Sequence, residues 1–198
     1  MSLALAQSAL PLRADPPSEL LPGSSLDAPN PALLARLEQE HVVCNESDGR
    51  TARALVLFQQ PLDEVWTLLT STTRQKEYRP ELTGLTVVDS GDHSNVADYS
   101  LRFMLTSLHY RLQQGWDSQS RRVWWSLDPS FDNDMRVLDG LWELRPLDES
   151  HTLARFSTRI DIGPALPAFL QDYATRKKLP ESMDHVRRWV DSGGAWRP

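Results

Sequence analysis

The sequence predicts an α+β domain in which one curved antiparallel sheet closes around a long C-terminal helix. Three observations predict it. Between Leu85 and Ile162 apolar and polar residues alternate with a period of two, broken by short polar turns, as half-buried consecutive strands require. Helical apolar periodicity flanks this stretch, before it at Leu62–Leu69 and after it from Leu166 to Val190. Finally, the apolar strand positions are rich in aromatic residues, in a chain of 198 residues that carries seven tryptophans. That many bulky rings build either a dense core or the wall of a cavity.

The elements follow in order. Six of the 14 prolines (Pro11, Pro16, Pro17, Pro22, Pro29 and Pro31) fall near the start, a density that blocks helix and central strand alike. Residues 1–29 therefore read as an arm, 30–192 as the domain and 193–198 as a tail. Asn30 can cap a helix and Pro31 suits its first turn; Leu33, Leu34 and Leu37 share a face, so a short helix runs to Glu38. Val42, Val43 and Cys44 are strand-prone, Asp48-Gly49 is a hairpin turn, and the return strand spans Thr51 to Gln59. Pro61 opens the next helix with Asp63 and Glu64 at its positive end and Leu62, Val65, Trp66 and Leu69 as its buried stripe. It ends before Arg79, because the residue preceding Pro80 avoids the α region.

Six strands then follow: Leu85–Asp89, Val96–Thr106, Leu108–Trp116, Arg121–Leu127, Val137–Leu144 and Thr152–Ile162. Gly163-Pro164 ends the last one. The final helix has Leu166, Phe169, Leu170 and Tyr173 on one face and continues at Met183, Val186 and Val190. Pro180 kinks or divides it near Leu179, and Gly193-Gly194 stops it. The order hairpin, helix, meander, helix gives one antiparallel sheet with helices on one side.

Alternation sorts the strand side chains onto two faces. Tyr99, Leu101, Phe103 and Leu105 share one face, as do Tyr110, Leu112 and Trp116 on the next strand. Val123, Trp125 and Leu127 continue it, then Leu138, Gly140, Trp142 and Leu144, then Ala154, Phe156, Thr158, Ile160 and Ile162. The opposite positions carry Arg102, Arg111, Arg122, Glu143, Arg155 and Arg159 and read as a wet face. A strongly curved sheet holding one helix does not always fill its concave side, so the aromatic face reads as either a filled core or the lining of a pocket. The expected ligand-binding residues are Tyr99, Phe103, Tyr110, Trp125, Trp142 and Phe156, with Phe169 and Tyr173 on the facing helix.

The strand–helix join Ala54-Leu55-Val56-Leu57-Phe58-Gln59-Gln60-Pro61-Leu62-Asp63-Glu64-Val65-Trp66, the turn Tyr78-Arg79-Pro80-Glu81-Leu82 and the strand Gly140-Leu141-Trp142-Glu143-Leu144-Arg145-Pro146 occur in a fixed order. In that order they resemble the START-like superfamily, also called SRPBCC, which includes polyketide cyclase/dehydrase and coenzyme Q-binding-type proteins. The resemblance covers roughly residues 31–191. It implies a helix-grip fold and an apolar ligand. It does not imply one activity, since the superfamily hosts lipid carriers, hormone receptors, cyclases and oxygenase subunits.

The charge and motif content exclude several classes. A net charge of −6 and a pI near 5.3 argue against general nucleic-acid binding, which needs basic surface. The basic clusters Arg176-Lys177-Lys178 and Arg187-Arg188 read as a solvated helix face. Cys44 is the only cysteine, so neither an intramolecular disulfide nor a thiolate metal cage can form. A lone cysteine suits a reducing compartment, which favours the cytoplasm without deciding against export. No run is long and apolar enough for a transmembrane helix, and Met1–Leu12 lacks the basic start of a signal peptide.

No phosphate loop, dinucleotide fingerprint or nucleophile elbow is present, and no two histidines have the spacing of a helical zinc site. His93 and His151 fall at turns, and His109, Asp98 and Arg111 fall on the polar parity. Tyr99 and Tyr110 carry hydroxyls on the apolar face that could orient a ligand carbonyl. No catalytic residue, metal or cofactor is assigned, and no protein partner is defined. The expected function is binding or transport of a hydrophobic small molecule, of lipid, isoprenoid-quinone or polyketide type, in an internal cavity. A cyclase or aromatase is the alternative; it needs inward proton donors and acceptors, and few inward polar side chains are evident.

Overall fold

Asn30 caps the first helix through its side chain: Oδ1 accepts the Leu33 N–H at 2.9 Å. With Pro31 in the first turn, helix α1 spans Pro31–Glu40 in a computed structural model that describes residues 26, 29–47, 51–103, 106–163 and 178–198. His41 ends it in a left-handed conformation (φ 60°), its N–H returning to the Leu37 carbonyl. Strands β1 (Val42–Ser47) and β2 (Thr51–Phe58) then pair antiparallel, with Ser47 opposite Thr51. The expected Asp48-Gly49 turn between them lies outside the described residues.

Helix α2 is Leu62–Leu69. Just beyond it, the Thr70 and Ser71 hydroxyls donate to the Trp66 and Thr67 carbonyls, an interaction that competes with helix propagation. The chain tightens into a 3₁₀ segment at Thr72–Glu77 and turns through Tyr78–Glu81 into β3 (Leu82–Gly91). The meander continues through β4 (Ser94–Phe103), β5 (Thr106–Asp117), β6 (Arg122–Leu127), β7 (Val137–Pro146) and β8 (Thr152–Asp161).

The sheet order is β1-β2-β8-β7-β6-β5-β4-β3, every neighbour antiparallel. The last strand thus closes onto β2, and register shifts in β3 at Leu82/Gly84 and Val87/Asp89 bend the far edge.

Helix α3 (Leu179–Asp191) crosses the concave face. The stretch expected to precede it, including Phe169 and Tyr173 and the far side of the break expected at Pro180, lies outside the described residues. Met183, Val186, Trp189 and Val190 are buried against Val56, Phe58, Val65 and Ala154. Gly193 and Gly194 stop the helix as expected. Both have positive φ, and their N–H groups bond the Val190 and Trp189 carbonyls.

Helix α1 departs from the expectation of helices on one side. Leu37 is fully buried against Val43, Leu57 and Leu153, residues of the opposite parity to Val56 and Phe58, so α1 covers the convex face. Leu26, inside the segment read as an arm, is buried in this same cluster, and its carbonyl accepts from Arg145 Nη1 at 2.9 Å. The convex face is also drier than alternation suggested. Glu143 and Asp139 are buried there beneath cross-strand arginines: Arg122 reaches Glu143 at 2.7 Å and Arg159 reaches Asp139 at 2.5 Å. Pairing opposite charges across strands lets a carboxylate be covered without losing its partner.

Candidate ligand cavity

Period-two alternation and the closure of β8 onto β2 direct the even-numbered residues of β5, β7 and β8 and the odd-numbered residues of β6 toward α3. The helix does not fill the space. A cavity of about 540 Å³ remains between the concave face, α3 and the segment from Leu69 to Glu81. Its aromatic wall is Tyr110, Trp116, Trp125, Trp142 and Phe156. Leu108, Leu112, Leu138, Ile160 and Ile162 extend the wall along the sheet, while Leu179, Met183 and Val186 close it from α3.

Trp142 packs on Phe156 (ring centroids 4.8 Å apart) and on Phe58 (6.3 Å), and Trp125 on Phe156 (5.8 Å). These tilted pairs hold one another in place while one side of each lining ring stays on the cavity. Gly140 is what allows the arrangement. It lies opposite Trp125 in the sheet, and a Cβ built there would fall 1.7 Å from the indole Cζ2. The ring lies across the strand where a side chain would otherwise stand.

Of the residues expected at the site, Tyr110, Trp125, Trp142 and Phe156 line this cavity together. Tyr99 does not line it; its ring stacks on Tyr110 with centroids 5.2 Å apart and planes within 3°. The Phe103 side chain, Phe169 and Tyr173 lie outside the described residues.

Sequence reasoning missed the polar part of the wall. Gln114 is buried with Nε2 donating to the Tyr99 hydroxyl at 2.5 Å and Oε1 accepting from Thr72 Oγ1 at 2.8 Å. Thr72 in turn accepts from Asn95 Nδ2 at 2.8 Å. Counting two residues on from Leu112 would have placed Gln114 on the inner face. Arg79 and Glu81 also line the cavity, with Arg79 Nε donating to Glu81 Oε1 at 3.0 Å. They come from an irregular turn where no periodicity assigns a direction.

Burial raises the pKa of Tyr110, with the Arg79 guanidinium pulling the other way. Burial likewise raises Tyr99 and pushes Tyr78 up to about 12. All three phenols therefore stay protonated at neutral pH and able to donate. Arg79 sits above its ordinary range: burial opposes its charge, but Tyr110, Glu81 and Tyr78 outweigh that. On the convex side, Asp98 and Arg111 form an ion pair at 2.5 Å, and exposed His109 meets Ser100 at 3.0 Å, both away from the cavity as expected. Among the described residues no group of three His, Cys, Asp or Glu side chains could hold a metal ion, and no helix is long and apolar enough to cross a membrane.

No protein-family model matches the chain, and no curated protein does. Solved structures match it closely in shape. A STAR-related lipid transfer protein from Xanthomonas axonopodis superposes with a TM-score of 0.62 at 12% identity, over 75% of this chain and 92% of that one. A START superfamily protein from Mycobacterium smegmatis gives 0.60 at 10% identity, over 72% and 98%. The Zhui aromatase/cyclase from Streptomyces sp. R1128 gives 0.59 at 14% identity, over 74% and 99%. The chain has the START-like helix-grip fold. At these identities the likeness is one of fold, which the order of motifs in the sequence had already indicated.

Proposed function

We propose that the protein binds or carries a hydrophobic small molecule, of lipid, isoprenoid-quinone or polyketide type, inside the cavity. Tyr110, Trp125, Trp142 and Phe156 serve as contact residues, and Phe103, Phe169 and Tyr173 are assigned to the same site from their sequence positions. In this reading residues 30–192 are the binding domain, 1–29 an arm and 193–198 a tail. One observation carries the proposal. A volume of about 540 Å³, walled by aromatic and aliphatic side chains, stays open on the concave face, while the apolar cluster on the convex face closes around Leu37. Small-molecule pockets span about 300–1,000 Å³, apolar with a few placed polar groups. The names of the fold's lipid-transfer and aromatase/cyclase examples point to the same class of ligand.

Native mass spectrometry of the purified protein tests this directly. The expected result is a co-purified apolar molecule, or uptake of an added one with unit stoichiometry. A protein that emerges empty and takes up no apolar probe would refute the proposal.

A cyclase or aromatase is the second reading, favoured by the placement of the Tyr110 phenol beside the Arg79 guanidinium on the cavity wall. Such a pair could donate to a carbonyl oxygen while a ring closes. Turnover of a poly-β-ketone that disappears in Tyr110→Phe, with binding retained, would establish it over the carrier.

A further inference from the structure

Arg79 is an unusual residue for an apolar wall. Its backbone is held firmly: its N–H donates to the Gln75 carbonyl at 3.1 Å, and its carbonyl accepts from Leu82 at 3.0 Å. Glu81 is tied to the sheet by the Arg102 N–H, at 2.8 Å from its carbonyl. The two side chains are therefore presented by a pinned turn and not by a loose loop.

The guanidinium has five N–H donors. Nε is used by Glu81 at 3.0 Å, and one Nη1 hydrogen reaches Gln75 Oε1 at 3.4 Å, the outer limit of a hydrogen bond. The Tyr110 hydroxyl takes another of the guanidinium hydrogens, and the remaining two have no acceptor among the described residues. A cation facing an apolar space with unused donors gains a charge-assisted hydrogen bond from any oxygen brought to it. The neighbouring Tyr110 phenol, kept neutral by burial, can supply a second donor to the same atom.

Charge decides which oxygen. Glu81 already neutralises Arg79, and Lys178 at the cavity is paired with Glu181 at 2.7 Å. A carboxylate head group would approach Arg79 within reach of the Glu81 charge and be repelled. A ketone, quinone or phenol oxygen accepts the same hydrogen bonds without that repulsion. We infer that Arg79, Glu81 and Tyr110 form a recognition point for a neutral oxygen acceptor, so the ligand is an apolar body carrying a carbonyl or phenolic oxygen. This rests on the ligand-binding reading and narrows it.

Three probes of nearly equal shape test the inference: ethylnaphthalene, acetylnaphthalene and naphthoate, substituted at the same ring position and titrated calorimetrically into the full chain at neutral pH. Wild type should bind acetylnaphthalene about tenfold more tightly than ethylnaphthalene, and naphthoate no more tightly than acetylnaphthalene. Arg79→Met should erase the acetyl preference and keep ethylnaphthalene affinity. Glu81→Gln should raise naphthoate affinity about tenfold, and it serves as the test should Arg79→Met not fold. Equal binding of the ethyl and acetyl probes by wild type, naphthoate as its tightest ligand, a preference surviving in Arg79→Met, or no gain for naphthoate in Glu81→Gln would each overturn the inference while leaving the cavity a binding site. Absence of binding by all three probes would instead remove the ligand-binding reading itself, and the inference with it.

Discussion

The indole N–H of Trp189 donates to Glu77 Oε2 at 2.9 Å, fastening α3 to the 3₁₀ segment that forms one wall of the cavity. Arg74 grips the same carboxylate through Nε and Nη2, and Arg197 from the C-terminal tail adds a contact at 2.9 Å. The fully buried Trp189 ring also packs on Tyr78, with centroids 4.7 Å apart. Glu77 is thus the point where helix, wall and tail are joined.

Removing this carboxylate should loosen the domain. Glu77→Gln keeps the shape and loses the charge, and should lower stability by about 1.5–3 kcal/mol, the range for hydrogen bonds to charged groups. The Arg74 hydrogen bond first, then those around it, lowers the Glu77 pKa in the folded state. A depressed carboxylate stabilises the fold above its unfolded pKa, and that contribution fades as pH falls through the folded value. Wild type should therefore lose more stability than Glu77→Gln between neutral pH and pH about 3. Chemical denaturation at both pH values measures the difference; parallel losses would contradict the assignment.

Gly140→Ala should be costly in proportion to Trp125. The added Cβ would meet the indole at 1.7 Å, so the ring must leave its place. Overpacking of this kind costs about 1–3 kcal/mol. In a Trp125→Leu background the same substitution should cost much less, and a double-mutant cycle reads the coupling. Additive effects would mean the ring has room to move.

Lining the cavity should soften some substitutions and not others. Trp142 contacts both Phe58 and Phe156 as well as the cavity, so Trp142→Ala should approach the cost of a filled core, about 3–5 kcal/mol. Phe156→Leu should cost about 1 kcal/mol and change the affinity of an apolar fluorescent probe. Unfolding measured beside probe titration separates the two effects. Heavy loss of stability in both variants, with no probe bound by wild type, would make the aromatic face ordinary core.

Leu26 predicts that part of the proline-rich segment contributes to stability. It is buried with Leu37, Val43, Leu57 and Leu153 on the convex face. Leu26→Ala should lower stability by about 2 kcal/mol, several degrees in thermal midpoint for a domain this size. An unchanged midpoint would show that the contact is dispensable.

What the sequence determined by itself was whatever repeats with a short period. Alternation over Val96–Ile162 assigned Tyr110, Trp125, Trp142 and Phe156 to one face because successive strand side chains must point oppositely. The same count placed His109, Asp98 and Arg111 on the other face, and Gln114 was within its reach although overlooked. Asn30 and Gly193-Gly194 marked helix ends through chemistry local to those residues. Only the tertiary structure decided the rest. Leu37 has an apolar stripe that would suit either face of the sheet, and only packing on Leu57 and Leu153 set it on the convex one. Arg79 and Glu81 lie in a turn with no period, so their arrival at the cavity depends on how Trp189 and Glu77 dock α3 against that turn. Tyr99 shares the parity of the wall, yet the Tyr110 ring lies flat upon it and takes its place at the cavity. Parity chooses a face; which side chain on that face meets open space depends on the curvature of the sheet and on the neighbours that cover it.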